Sequence, residues 1–99
     1  MPTQSAIKER SGIKIKEPRK YKVIMLNDDF TTMDFVVSVL IDIFKKDPVS
    51  AHRIMMFVHQ NGRAVVGEYP YDIALTKTKA ALDRAKAEGF PFRMVVEEA

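Results

Sequence analysis

The 99-residue chain reads as an α/β fold of the α+β kind, one small three-stranded sheet with helices over one face. Three observations carry that reading. Short apolar runs with β-branched and aromatic members occur at 21–26, 64–69 and 92–96. Between them, apolar residues recur at spacings of three and four, the mark of a helix face. Asn, Asp, Gly and Pro punctuate the joins. The resulting order is strand, helix, helix, strand, helix, strand.

Residues 1–19 hold no sustained period, and they contain Pro2, Gly12 and Pro18, with Ile7, Ile13 and Ile15 isolated among charges. That predicts a flexible N-terminal extension ahead of a core domain over 20–99. Tyr21 to Leu26 is interrupted only by Lys22 and reads as a strand. Thr31 is expected to cap the next helix, which starts near Met33 with Asp34 favoured by the dipole. Phe35, Val36, Val39, Leu40, Ile43 and Phe44 form its apolar face, and Lys45 and Lys46 suit its C-terminal end.

Asp47-Pro48 supplies an N-cap and a first helical residue. Ala51, Ile54, Met55 and Val58 make the stripe of this second helix, and Gly62 can end it in the left-handed conformation. Ala64 to Tyr69 reads as a strand. Pro70 to Glu88 reads as a third helix closed by Gly89, with Ile73, the stem of Lys77, Ala80, Ala81 and Ala85 facing inward. Phe92 to Val96 is the last strand.

A chain this short buries about two thirds of its unfolded surface. It can build one core and a shallow site. No apolar run is long enough to span a bilayer, and no signal peptide is evident, so a cytoplasmic protein with no membrane partner is expected. Cysteine is absent, which excludes disulfides, a thiol nucleophile and cysteine-ligated zinc. The net charge is +3, unevenly placed. Residues 1–20 carry Lys8, Arg10, Lys14, Lys16, Arg19 and Lys20 against Glu9 and Glu17, a net +4, which leaves −1 for residues 21–99. The core therefore offers no basic groove, and no nucleic-acid partner is expected of it. A monomer without cofactor or metal is expected.

The join Asn27-Asp28-Asp29-Phe30-Thr31-Thr32-Met33 holds the most telling chemistry. Two carboxylates and an amide between a strand and a helix can hold a small cation such as an ammonium group. The same residues also simply make turns, because their side chains bond nearby backbone. Met55, Val58 and His59 are spaced i, i+3, i+4 and share a helix face. Met33 and Val36 open the preceding helix. Were the two helices to pack side by side, these residues would enclose a small apolar hollow rimmed by Asn27, Asp28, Asp29 and His59. Met suits a pocket that accepts several large side chains, being unbranched and polarizable. Equally, Met and Val at helical spacing pack ordinary cores, and a His near a helix C-terminus gains from the dipole.

Enzyme readings find little support. Gly12, Gly62, Gly67 and Gly89 are scattered rather than gathered in a phosphate loop. His52 and His59 have no carboxylate at metal-ligand spacing with both. The Asn-Asp-Asp turn lacks the glycine and glutamate of a calcium loop, and no serine sits in a nucleophile elbow. Asp28 and Asp29, with His59, could serve as acid and base, but no substrate cleft is marked. Asp72 and Lys77, near Tyr71 on the third helix, form a second candidate surface, either a solvated helix face or a protein contact.

Residues 21–36, Tyr-Lys-Val-Ile-Met-Leu-Asn-Asp-Asp-Phe-Thr-Thr-Met-Asp-Phe-Val, resemble the signature of the ClpS adaptors. Residues 55–62, Met-Met-Phe-Val-His-Gln-Asn-Gly, are similar to the family's second motif, and Asp72-Ile-Ala-Leu-Thr-Lys77 to its third. The likeness spans residues 20–98. It implies a three-stranded antiparallel sheet with three helices. It implies an adaptor, not an enzyme, that binds N-terminal Leu, Phe, Tyr or Trp of substrate proteins. Such adaptors deliver these N-degrons to a Clp AAA+ unfoldase, of ClpA or ClpC type, working with the ClpP protease.

By this resemblance Asn27, Asp28, Asp29 and His59 would form a polar collar for the substrate α-amino group. Thr31 and Met33 would stand at the pocket entrance, Met33 as a gate against β-branched side chains. Val36, Met55, Val58 and Phe92 would line the pocket. Asp72 and Lys77 would face the unfoldase, and the N-terminal extension would serve delivery. Thr32 stands where proline is common in the family, and Asp72 where glutamate is usual. The alternative is a small ribosome- or nucleic-acid-associated α/β domain acting through its basic arm.

Overall fold

The computed structural model describes residues 19–99, and all of the expected extension over 1–19 except Arg19 lies outside them. Three strands, β1 (Lys20–Leu26), β2 (Arg63–Pro70) and β3 (Arg93–Glu98), alternate with three helices, α1 (Met33–Asp42), α2 (Pro48–Asn61) and α3 (Tyr71–Ala87). The chain order is β1-α1-α2-β2-α3-β3, and both strand pairings are antiparallel in a sheet ordered β2-β1-β3. No helix among the described residues is long and apolar enough to cross a membrane.

The first strand of the sequence becomes the central strand because it is the most apolar of the three. Val23, Ile24 and Met25 are wholly buried. Val23 and Met25 point into the core beneath the helices, with Phe35, Val39, Leu40, Met55 and Val58 around them. A bulge opposite Val23 and Ile24 inserts one residue in β2. Ala64 and Val66 both stay on the core side, and Val65 is left outward.

The cap of α1 is one residue later than expected. Thr32, in extended conformation, accepts the Phe35 N–H at 3.2 Å. Thr31 is diverted into the preceding turn. The helix also ends earlier, at Asp42, and Lys45 takes a left-handed φ of 58°. The capping of α2 follows the sequence reading. Asp47 accepts the Ser50 N–H at 3.1 Å, Pro48 opens the helix, and Gly62 closes it at φ 87°.

The buried stripe of α3 is rotated from the one expected. Ala74, Thr78, Ala81 and Ala85 face the core, while Ile73 and Ala80 are exposed. Small side chains let the helix axis approach the sheet closely, so packing selects the alanine row over the larger Ile73. Two polar ties hold α3 to the far end of α1. Lys77 Nζ donates to the Ile43 carbonyl at 2.8 Å, and Arg84 pairs with Asp42 at 2.8 Å.

Candidate functional site: a hollow between two helices under a polar turn

The helices α1 and α2 pack side by side, and where α1 begins beside the end of α2 they enclose a hollow of about 370 Å³. Its apolar lining is the buried Val36, Met55 and Val58 with Met33 exposed at the mouth, and its rim is Asn27, Asp28, Asp29, Phe30, Thr31, Thr32 and His59. That volume is at the small end of ligand pockets, which run from roughly 300 to 1,000 Å³. It suits one large side chain. Nine of the expected site residues thus meet: Asn27, Asp28, Asp29, Thr31, Met33, Val36, Met55, Val58 and His59.

Two segments distant in sequence are joined by one backbone bond. The Asn27 N–H donates to the Gly62 carbonyl at 2.9 Å, and the Gly62 N–H donates to Val58 at 2.8 Å. The left-handed glycine that ends α2 therefore presents its carbonyl to the residue that leaves β1. This fixes the Asn-Asp-Asp turn over the last turn of α2, where His59 stands exposed.

The two aspartates have different tasks. Asp28 builds the turn: Oδ1 accepts the Phe30 and Thr31 N–H groups at 2.8 and 2.7 Å, and Oδ2 accepts the Thr31 hydroxyl at 2.6 Å. Its burial alone would raise the carboxyl pKa. The Thr31 hydroxyl, the Thr31 and Phe30 amides and the charge of Arg93 outweigh that and hold it below the ordinary aspartate value. Asp29 is exposed, and among the described residues neither it nor the His59 ring takes an internal hydrogen-bond partner. Asp28 thus spends its carboxylate on its own turn, while Asp29 has no internal partner among the described residues.

Phe92, expected to line the pocket, does not line it. Its ring is buried and packs edge-on to Phe35, with centroids 5.6 Å apart, and Phe90 flanks the same ring at 5.1 Å. These aromatic contacts draw Phe92 into the core behind α1. Phe30 and Thr32 are rim residues that sequence reasoning left out, and their place inside the telling seven-residue join was the available signal.

At the second candidate surface, Asp72 is exposed in the first turn of α3 beside Tyr71, whose ring meets Tyr21 at 4.7 Å. Lys77 is partly buried. Besides its bond to Ile43, its ammonium stands 5.5 Å from the Tyr69 ring centroid and 5.9 Å from that of Phe44.

Residues 16–95 match the family model for the ATP-dependent Clp protease adaptor protein ClpS. The chain is 50% identical over 95 residues to the ATP-dependent Clp protease adapter protein ClpS of Wolinella succinogenes, covering 96% of this chain and 91% of that one. It is 45% identical over 97 residues to the protein so named in Acetivibrio thermocellus, covering 98% of each. Among solved structures it is similar to Agrobacterium tumefaciens ClpS2 bound to L-phenylalaninamide, with a TM-score of 0.80 and 42% identity over 84% of this chain and all of that one.

Proposed function

The chain belongs to the ClpS family of ATP-dependent Clp protease adaptors, and from that premise we propose that it binds chain ends that begin with Leu, Phe, Tyr or Trp and delivers them to a Clp AAA+ unfoldase working with ClpP. It does so as a binding module without chemistry of its own, in the cytoplasm. The observation that carries this reading is the pairing of a one-side-chain apolar hollow with a rim on which Asp29 and His59 have no side-chain partner among the described residues.

An α-ammonium is a compact cation with N–H donors. Asp29 supplies the charge, and the Asn27 side chain and a His59 ring nitrogen supply acceptors. The side chain of the same residue enters the hollow among Met33, Val36, Met55 and Val58. Burying a Phe or Leu side chain contributes roughly 1.5–3 kcal/mol, and a hydrogen bond to a charged group roughly as much again. After the cost of association, a dissociation constant in the micromolar to submicromolar range is the expected order. An internal Phe has no ammonium, and its preceding residue collides with the rim, so the site reads chain ends only. L-phenylalaninamide, the ligand of the Agrobacterium relative, has this chemistry: a free amine beside a benzyl side chain.

Met33 is 43% exposed at the mouth, where its side chain can exclude a substrate branched at Cβ. Asp72 and Lys77 are the residues of α3 for contact with the unfoldase. Residues 1–19 serve delivery rather than binding.

The test is fluorescence anisotropy with a labelled peptide that begins with Phe, beside its N-acetylated twin. Tight binding of the free amine alone is expected. Equal binding of both peptides, or of neither, sinks the reading. Deletion of residues 1–17 is expected to spare the peptide affinity and to stop degradation of a Phe-tagged substrate by the reconstituted protease.

A further inference from the structure

Phe30 is the most exposed large apolar side chain among the described residues, at 76%. It belongs neither to the core nor to the residues packed against it. Its place is the rim of the hollow, between Asp29 and Thr31. Its backbone is tightly held, because its own N–H and both donors of Thr31 bond the Asp28 carboxylate. An apolar ring held out in water on a fixed turn loses the hydrophobic gain of folding inward. A partner that covers it recovers that gain.

The site sets which partner group can reach the ring. A chain end whose ammonium lies among Asn27, Asp29 and His59, with its side chain in the hollow, must leave through its carbonyl over the rim. The side chain of the second residue is the next group to meet that rim. We propose that Phe30 is a specificity-determining residue for the second position of the substrate: its ring packs against that side chain and favours an apolar or aromatic one over glycine. The inference rests on the chain-end reading above and adds a second subsite to it.

The experiment measures anisotropy with two labelled peptides that start Phe-Leu and Phe-Gly and are otherwise identical, together with N-acetylated Phe-Leu, on the wild-type protein and on Phe30→Ser. Leucine and glycine differ in chain flexibility by themselves, so the informative quantity is the change of their affinity ratio between the two proteins. The wild type is expected to prefer Phe-Leu about fivefold, a factor suited to partial burial of one side chain. In Phe30→Ser the ratio is expected to fall towards one, because Phe-Leu loses more affinity than Phe-Gly does. Phe30→Tyr keeps a ring and is expected to keep the preference. Because the ring is exposed and outside the core cluster, the thermal midpoint of Phe30→Ser is expected to match the wild type. An unchanged ratio in Phe30→Ser overturns the proposal, and so does an equal loss for both peptides, which would make Phe30 a wall of the first-residue pocket. Failure of the chain-end reading shows differently, as wild-type protein that binds neither free-amine peptide better than the acetylated one.

Discussion

The Thr31 hydroxyl donates to Asp28 Oδ2 at 2.6 Å, while the Thr31 N–H donates to the other oxygen of the same carboxylate at 2.7 Å. One residue thus grips both oxygens of another three positions earlier. The turn they close carries Asn27 and Asp29 on its outside, so the shape of the rim depends on a pair that need not touch a ligand at all.

Thr31→Val removes the hydroxyl and keeps the shape. The Asp28 pKa is expected to rise towards the ordinary value, read by NMR titration of its carboxyl carbon. Peptide affinity is expected to fall about tenfold, since a lost bond to a charged group is worth roughly 1.5–3 kcal/mol. An unmoved pKa would show that the hydroxyl does not hold the carboxylate.

Asp28 and Asp29 should separate by their effects. Asp29→Ala is expected to weaken binding of a Phe-initiated peptide by 100-fold or so, on the order of 3 kcal/mol, with an unchanged thermal midpoint. Asp28→Ala is expected to lower both, because it dissolves the turn. Calorimetry beside anisotropy checks the pair; equal midpoints for the two variants would contradict the division of labour.

Acid should act through Asp28. Its folded pKa is depressed, so its contribution is present above the unfolded value near 3.9 and is lost as pH falls through the folded value. Stability and peptide affinity are expected to drop together below about pH 4, and Thr31→Val is expected to move that drop upward. Unfolding curves collected across this range provide the measurement.

Met33→Ala opens the mouth and is expected to admit peptides that begin with Ile or Val, which the wild type rejects. Binding of Phe-initiated peptides is expected to weaken only modestly. Continued rejection of Ile and Val by the variant would remove Met33 as the gate.

Away from the site, the Thr78 hydroxyl is buried and finds no hydrogen-bond partner among the described residues. Thr78→Val removes that unsatisfied group at nearly constant shape. It is expected to stabilise the fold by about 1 kcal/mol without altering peptide affinity, as a urea melt would show.

The sequence alone determined the element order, the caps of α2 and nine of the residues that gather at the hollow. Those features are local: Asp47 and Gly62 act within a turn of themselves, and the spacing of Met55, Val58 and His59 puts them on one face wherever the helix goes. The tertiary structure decided which partner each group meets. It turned α3 to its alanine row, because close approach to the sheet favours small side chains over Ile73. It drew Phe92 into an aromatic cluster with Phe35 and Phe90, and tied Lys77 to Ile43. It also divided Asp28 from Asp29, two identical residues side by side. One carboxylate faces the amides of its own turn and the other faces water, and the turn that carries both is held over the end of α2 by the Asn27 N–H bond to the carbonyl of Gly62, a residue 35 positions away in a chain that only folding brings together.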